Sequence, residues 1–175
     1  MKPIAPEIIA TRRLRGERLR SEHESELLRM EQDPRVFPTL SGGPEPPAVA
    51  DVRRGLDRQR RHWERHGFGL WLLRDRATGA MVGRGGLQYT NVSGTPAVEV
   101  AWAIVAERWG EGLATELAHA AVHTAFADIG LTELLAVTLP PNARSRRVME
   151  KAGFAYDRDV VHAGMAHVLY RRARC

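Results

Sequence analysis

Apolar residues recur along this chain with two different periods, and the changes of period mark its elements. Residues 11–19 (TRRLRGERL) alternate weakly and predict a first strand. Ser21 and Glu24 have the spacing of a capping box, with Ser at the N-cap and Glu at N3, which starts a short helix to about Gln32. Residues 33–47 hold prolines at 34, 38, 44, 46 and 47 and the Gly42-Gly43 pair, so they form a loop. A polar helix is predicted over 48–66. The period then shortens, giving strands at 67–74 (GFGLWLLR) and 81–89 (MVGRGGLQY) about a turn at 75–79. A second turn around 91–96 leads into a strand at 97–105 (AVEVAWAIV). In the alanine-rich segment 112–129, Leu113, Leu117, Ala121, Val122, Ala125 and Ile129 form one apolar stripe of helical period. A strand at 134–139, a helix at 142–152 and two strands over 154–172, about a turn at Ala163-Gly164, complete the chain.

The order is therefore β-α-α-β-β-β-α-β-α-β-β, without internal repeats. The unit 97–105, 112–129, 134–139 is a crossover, and such units are parallel and right-handed. The hairpins before it are antiparallel. The expected fold class is α/β: one mixed sheet of about seven strands with helices on both faces. At 175 residues, a single domain spanning 1–175 is expected.

Composition narrows the function classes. Hydrophobic content of 43% and charged content of 27% suit a soluble globular chain. No apolar run reaches the roughly 18–20 residues of a membrane span. The apolar patch near the N-terminus is short and interrupted by Pro3 and Pro6, unlike a signal peptide. The one cysteine, Cys175, allows no intrachain disulfide and agrees with a cytoplasmic location. Net charge is +5, and of 26 basic residues only Lys2 and Lys151 are lysine. The 21 acidic residues are interspersed among the arginines, so a solvated charged surface and a basic rim for cofactor phosphates are favoured over nucleic-acid binding.

The segment with the clearest chemistry is Val105-Ala106-Glu107-Arg108-Trp109-Gly110-Glu111-Gly112-Leu113-Ala114-Thr115, between a buried strand and the first turn of an amphipathic helix. Two glycines one residue apart let the backbone turn tightly and point several N–H groups into one concavity. With the positive end of the helix dipole behind them, these groups suit phosphate oxygens. By itself the Gly-x-Gly step is also an ordinary way to begin a helix. The dinucleotide-binding fingerprint fails, because the motif follows a fourth strand, its sixth position is Thr115, and the β/α series is not regular.

Trp-Gly-Glu-Gly-Leu-Ala (109–114) resembles the pyrophosphate loop of GNAT acetyltransferases, written Q/R-x-x-G-x-G/A, with Trp109 at the first position as in the RimJ/RimL-like branch. About thirty residues on, Asn142-Ala143-Arg144-Ser145 through Lys151-Ala152-Gly153-Phe154 resembles that branch's N-x-x-S-x-x-V-x-x-K-x-G-F block. TRRLRGERL is similar to its first strand. The resemblance covers roughly residues 9–172 and implies acetyl-CoA as co-substrate. It implies a gap between splayed fourth and fifth strands, with pantetheine along the backbone of Ala103, Ile104 and Val105. The pyrophosphate would then rest on the N–H groups of Gly110, Glu111, Gly112, Leu113, Ala114 and Thr115, with Asn142 reaching the pantetheine. The implied partner is an amine acceptor; a homodimer is left open, and neither a membrane nor nucleic acid is the expected partner.

The implied reaction is direct attack of a neutral amine on the thioester carbonyl. It needs a proton acceptor, oxyanion stabilisation and a proton for the leaving sulfur. Many members of the family take that acid from a tyrosine seven residues after the motif asparagine. Met149 stands there and cannot donate; the resemblance to the RimL-like branch implies the motif serine, Ser145, as the acid instead, the alternative being an ordinary hydroxyl in a first helical turn. Glu99, on the strand before the phosphate loop, is the candidate base, since a carboxylate on a central strand is costly to bury without a role or partner. A salt bridge to an arginine is its plain alternative, and a water chain could also carry the proton. His119 and His123 with Glu116 have the spacing of a metal pair, but lack the glutamate between them and a third ligand; a polar helix face is expected, and no metal. His162 and His167 flank the final turn, near where relatives seat the acceptor. The competing functions are a non-catalytic acetyl-CoA-binding module and a nucleic-acid-binding protein. The acceptor's identity is not legible; the loop 33–47, the helix 48–66 and the last hairpin would shape its site.

Overall fold

The computed structural model describes residues 4–40 and 44–174; Gly42-Gly43, Lys2 and Cys175 lie outside them. Eight strands form one sheet in the order β1-β2-β3-β4-β5-β6-β8-β7. The N-terminal strand is split: β1 (Ile8–Ala10) pairs antiparallel with β2 (Leu14–Arg18), and Thr11–Arg13 turn between them. This extra three-residue strand is why eight appear where about seven were expected. Its residues Ile8, Ile9 and Ala10 show too short an alternation to be read from sequence.

α1 (Glu24–Glu31) follows a 3-10 turn at Ser21–His23. The expected Ser21 cap is absent. The imidazole Nδ1 of His23 accepts the Arg20 N–H at 3.0 Å instead, so the histidine ring occupies the position from which a glutamate closes a capping box. The loop after α1 contains a further 3-10 turn, Phe37–Thr39. α2 (Val49–His66) ends at Gly67, whose φ of 76° forms the left-handed C-cap.

β3 (Leu70–Asp75), β4 (Met81–Val92) and β5 (Thr95–Ile104) are a continuous antiparallel meander. The β4–β5 turn is tighter than its sequence suggests. Only Ser93 (φ 53°) and Gly94 (φ 82°) turn, the signature of a two-residue hairpin whose twist matches the strands. Asn91 and Pro96 are already paired across the ladder.

The crossover from β5 through α3 (Leu113–His123) to β6 (Glu133–Thr138) is parallel, as expected. The helix continues as one π-type turn over Thr124–Asp128. All six residues of the predicted stripe are buried, from Leu113 to Ile129. α4 (Ala143–Lys151) precedes the hairpin of β7 (Ala155–His162) and β8 (Met165–Ala173), in which β8 inserts between β6 and β7.

Alternation along β5 assigns the two faces. Val98, Val100 and Ile104 pack in the cluster with Leu113, Leu117 and Met149 beneath α3 and α4. Ala101 and Ala103 pack with Leu27, Val52 and Leu56 beneath α1 and α2. Trp109 touches both clusters and so sits where the two layers meet. Helices on both faces were expected and are found. Among the described residues, no helix is long and apolar enough to cross a membrane.

Candidate active site

β5 and β6 are joined by one register pair, Glu99 opposite Leu135. Beyond it the strands part, and Val100–Ile104 face Val137 and Thr138 across a cavity of about 1310 Å³. The cavity runs from α2 and the loop before it, past Glu99, to the turn at Gly110 and the start of α4.

The phosphate-loop geometry follows from its two glycines. Gly110 has φ 84° and Gly112 φ 80°, conformations that cost a residue with a Cβ roughly 1–2 kcal/mol. The first α3 backbone bond runs from the Glu116 N–H to the Gly112 carbonyl at 3.0 Å. Among the described residues, no carbonyl accepts from the N–H groups of residues 110–115. These donors, at a helix start, form a concave anion site. Arg144, Arg147 and Lys151, spaced i, i+3 and i+7 on α4, line the same end. The guanidinium of Arg144 lies 4.8 Å over the Trp109 ring. From sequence this run of arginines reads as a solvated face, and Arg144, Arg147 and Lys151 are indeed exposed; their helical spacing is what puts them together along the cavity rim.

The predicted residues are mostly, not wholly, brought together. Glu99, Ala103, Ile104, Trp109, Gly110, Gly112, Leu113, Ala114, Thr115, Asn142 and Ser145 all line the cavity. Val105 and the Glu111 side chain do not. The Val105 N–H donates to the Val82 carbonyl at 3.0 Å, so that residue is held by β4. Glu111 turns outward to Arg108 at 2.8 Å, while its carbonyl accepts from Arg13. The Ile104 carbonyl is also taken, by the Trp109 indole N–H at 2.8 Å. Ladder alternation, phased by the Val105 bond, leaves the Ile104 N–H and the backbone of Trp102 turned toward the gap.

Asn142 caps α4: its Oδ1 accepts the Ser145 N–H at 3.1 Å, a bond worth about 1 kcal/mol to the helix. Met149, in the place of the family's tyrosine, is fully buried in the core. Ser145 is half-buried and lines the cavity at the start of α4.

Glu99 is 8% exposed, and burial pushes its carboxyl up to about 7. Two influences oppose that rise: the Gln88 amide, whose Nε2 donates to Glu99 Oε2 at 3.4 Å, and the charge of Arg84. The salt-bridge alternative is corrected here. Arg84 bonds Glu31 at 2.7 Å, and no arginine forms an ion pair with Glu99 among the described residues. A carboxylate with an ordinary pKa near 4.5 is held where it exchanges protons at neutral pH. The cross-strand neighbour Gln88 was not singled out by sequence; the β4–β5 register is what would have revealed it.

The remaining histidine readings resolve differently. Glu116 is committed to Arg13, and His119 and His123 are exposed. Among the described residues, no group of three or more His, Cys, Asp or Glu could hold a metal. His162 lines the cavity, with burial foremost in lowering its pKa, whereas His167 is fully buried and packs edge-on against it. The basic surface is largely neutralised on α2, where Arg53 pairs with Glu24 and Arg60 and Arg61 with Asp57.

A parted parallel strand pair, a turn of free N–H groups below it and a titratable carboxyl at the fork define the class as an acyl-CoA N-acyltransferase. The family model for the acetyltransferase (GNAT) domain matches residues 13–155, and the chain belongs to that family, whose co-substrate is acetyl-CoA. Solved structures that share the fold include a GnaT-family acetyltransferase from Bordetella pertussis, at 25% identity and TM-score 0.84, covering 96% of this chain and 100% of that one. The ribosomal-protein-S5-alanine acetyltransferase of Vibrio fischeri aligns at 15% identity and TM-score 0.73, covering 95% and 96%. The aminoglycoside acetyltransferase AAC(6')-Ib, solved with paromomycin and acetyl-CoA, aligns at 19% identity and TM-score 0.75, covering 93% and 94%.

Proposed function

We propose that this protein transfers the acetyl group of acetyl-CoA to a primary amine by direct attack in a ternary complex, with Glu99 accepting the amine proton and Ser145 protonating the sulfur. The observation that carries this reading is the placement of Glu99: a buried carboxyl without an ion pair among the described residues, at the point where β5 and β6 part. At neutral pH a group with pKa about 7 is divided between its two forms, so it can take a proton and release it to solvent.

The cavity fits the co-substrate. Its N–H turn and α4 cations suit a diphosphate, and its gap-facing backbone at Trp102 and Ile104 suits the amides of a pantetheine arm. In the reaction the amine nitrogen bonds to the thioester carbon, the carbon–sulfur bond breaks, and the nitrogen's proton passes to Glu99, directly or through one water. The Ser145 hydroxyl gives its proton to the thiolate and regains one from solvent. The gap-facing Ile104 N–H is our candidate donor for the developing oxyanion.

Within the family we assign the chain to the RimJ/RimL-like branch, on Trp109 and on the block from Asn142 to Phe154. The acceptor is a protein N-terminus or a small-molecule amine, seated between residues 36–40 and 44–47, α2 and His162. The two neighbours with known acceptors differ in them at under 20% identity, so the fold alone does not choose. Free-thiol release against a panel of amines, with mass spectrometry for acetylated product, tests the reading. Acetyl-CoA binding without thiol release on any amine would favour the non-catalytic module.

A further inference from the structure

Three hydrogen bonds outside the expected site lead from a backbone N–H to Glu99. The Leu70 N–H donates to Gln59 Oε1 at 3.1 Å. Gln59 Nε2 donates to Gln88 Oε1 at 3.0 Å, and Gln88 Nε2 donates to Glu99 Oε2 at 3.4 Å. Leu70 is on β3, Gln88 and Glu99 are register partners on β4 and β5, and Gln59 hangs from α2.

The direction of this chain is fixed at its start. A backbone N–H can only donate, so it holds the oxygen of Gln59 and turns that amide's NH₂ toward Gln88. Gln88 must then receive on its oxygen and present its own NH₂ to Glu99. Neither amide can flip without setting a donor against a donor, so the half-buried pair keeps one orientation. Resting on the reading of Glu99 as proton acceptor, we infer that Gln59 and Gln88 are positioning residues: an oriented amide relay that favours the ionised Glu99 and ties it to α2, a wall of the acceptor side of the cavity.

The arrangement opposes burial. Without the relay, Glu99 would sit protonated over more of the neutral range and would be a poorer acceptor. Other charges around the cavity are Arg84 on β4 with its partner Glu31 on α1, Glu45 before α2, Arg58 and the Asp51–Arg54 pair on α2, His162 on β7, and, at the far end, Arg108 with Arg144, Arg147 and Lys151 of α4. Of these, only Arg84 acts on Glu99 strongly enough to shift it, and its pairing with Glu31 does not involve either glutamine.

The test is a ¹³C-carboxyl NMR titration of the full chain labelled at glutamate, with the Glu99 signal assigned by its loss in Glu99→Gln. In Gln88→Met, similar in shape but without the amide, the Glu99 midpoint should rise by about one pH unit, the low end for a hydrogen bond to a charged group. In Gln59→Met, which frees the Gln88 amide to reorient, it should rise by less. A Gln88→Met midpoint that stays put or falls overturns the relay. The acidic limb of the pH–rate profile tests the underlying base reading separately. If the NMR midpoint moves and the limb does not, the relay stands and Glu99 is not the proton acceptor.

Discussion

Arg13 holds Glu116 through two bonds: its backbone N–H reaches Glu116 Oε1 and its Nε reaches Oε2, both at 2.7 Å. The same guanidinium holds the Glu111 carbonyl at 2.8 Å. The turn between β1 and β2 thereby clamps the Gly110–Gly112 turn at the head of α3, the proposed phosphate site. Glu116, which sequence spacing placed beside two histidines, is a strut for the loop. Burial raises its pKa, but the bonds from Thr11 and Arg13 outweigh that and leave it lowered. Glu116→Gln should weaken acetyl-CoA binding several-fold and lower stability by about 1–2 kcal/mol, the scale of a lost partly exposed charged bond. Calorimetric titration beside thermal melts checks both; unchanged affinity would show that the loop holds itself.

Gly110→Asp tests the phosphate turn. A Cβ there meets nothing within 4 Å, and aspartate is among the residues that best tolerate positive φ. Position 112 is a poorer choice, because Arg13 lies 3.6 Å from its Cβ and could neutralise the new charge. Acetyl-CoA should raise the melting temperature of the native chain, since it binds only the folded state, and should not raise that of Gly110→Asp. A full shift in the variant would move the pyrophosphate elsewhere.

Ser145→Ala should lower turnover roughly 10²–10⁴-fold, the contribution of a positioned general acid, while acetyl-CoA affinity holds. The Asn142 cap uses the backbone N–H of Ser145 and survives the change. Turnover near that of the native chain would mean that solvent protonates the thiolate.

The response of stability to pH has a defined sign. His23, His62 and His162 all have pKa values lowered from 6.5, burial being the main cause in each. At His62 burial outweighs the opposing bond to the Phe68 carbonyl, and Nε2 accepts the Tyr89 N–H at 2.9 Å, a geometry that suits the neutral ring. The unfolded chain takes up these protons first, so stability is present above about 6.5 and lost as pH falls. Glu99 has the opposite sign: its contribution is full below 4.5 and fades as pH rises through about 7. Melting temperatures should fall between pH 7 and 5, and His62→Asn should reduce that slope. A slope unchanged in the variant would assign it to other groups.

The sheet was legible because its strands are apolar and regular, and the α3 stripe because six positions share one period. The short β1 was not: three residues cannot show a period. The cap before α1 was misassigned because His23 can accept through Nδ1, a role that residue preferences give to glutamate. At the site, motif spacing located the loop and Ser145. Gln59, Gln88 and the cavity-rim face of α4 depend on register and helix orientation, which lie in the packing of distant segments.

Glu99→Gln, followed by its pH–rate profile and melting temperature, bears most directly on the proposed chemistry. Removing a buried charge that has no ion pair among the described residues should leave melting at pH 8 unchanged or slightly higher. Turnover should drop roughly 10²–10⁴-fold, the contribution of a positioned base, and the acidic limb of the profile should flatten. An acidic limb of unchanged position and slope in Glu99→Gln would contradict Glu99 as proton acceptor and leave a water chain to carry the proton.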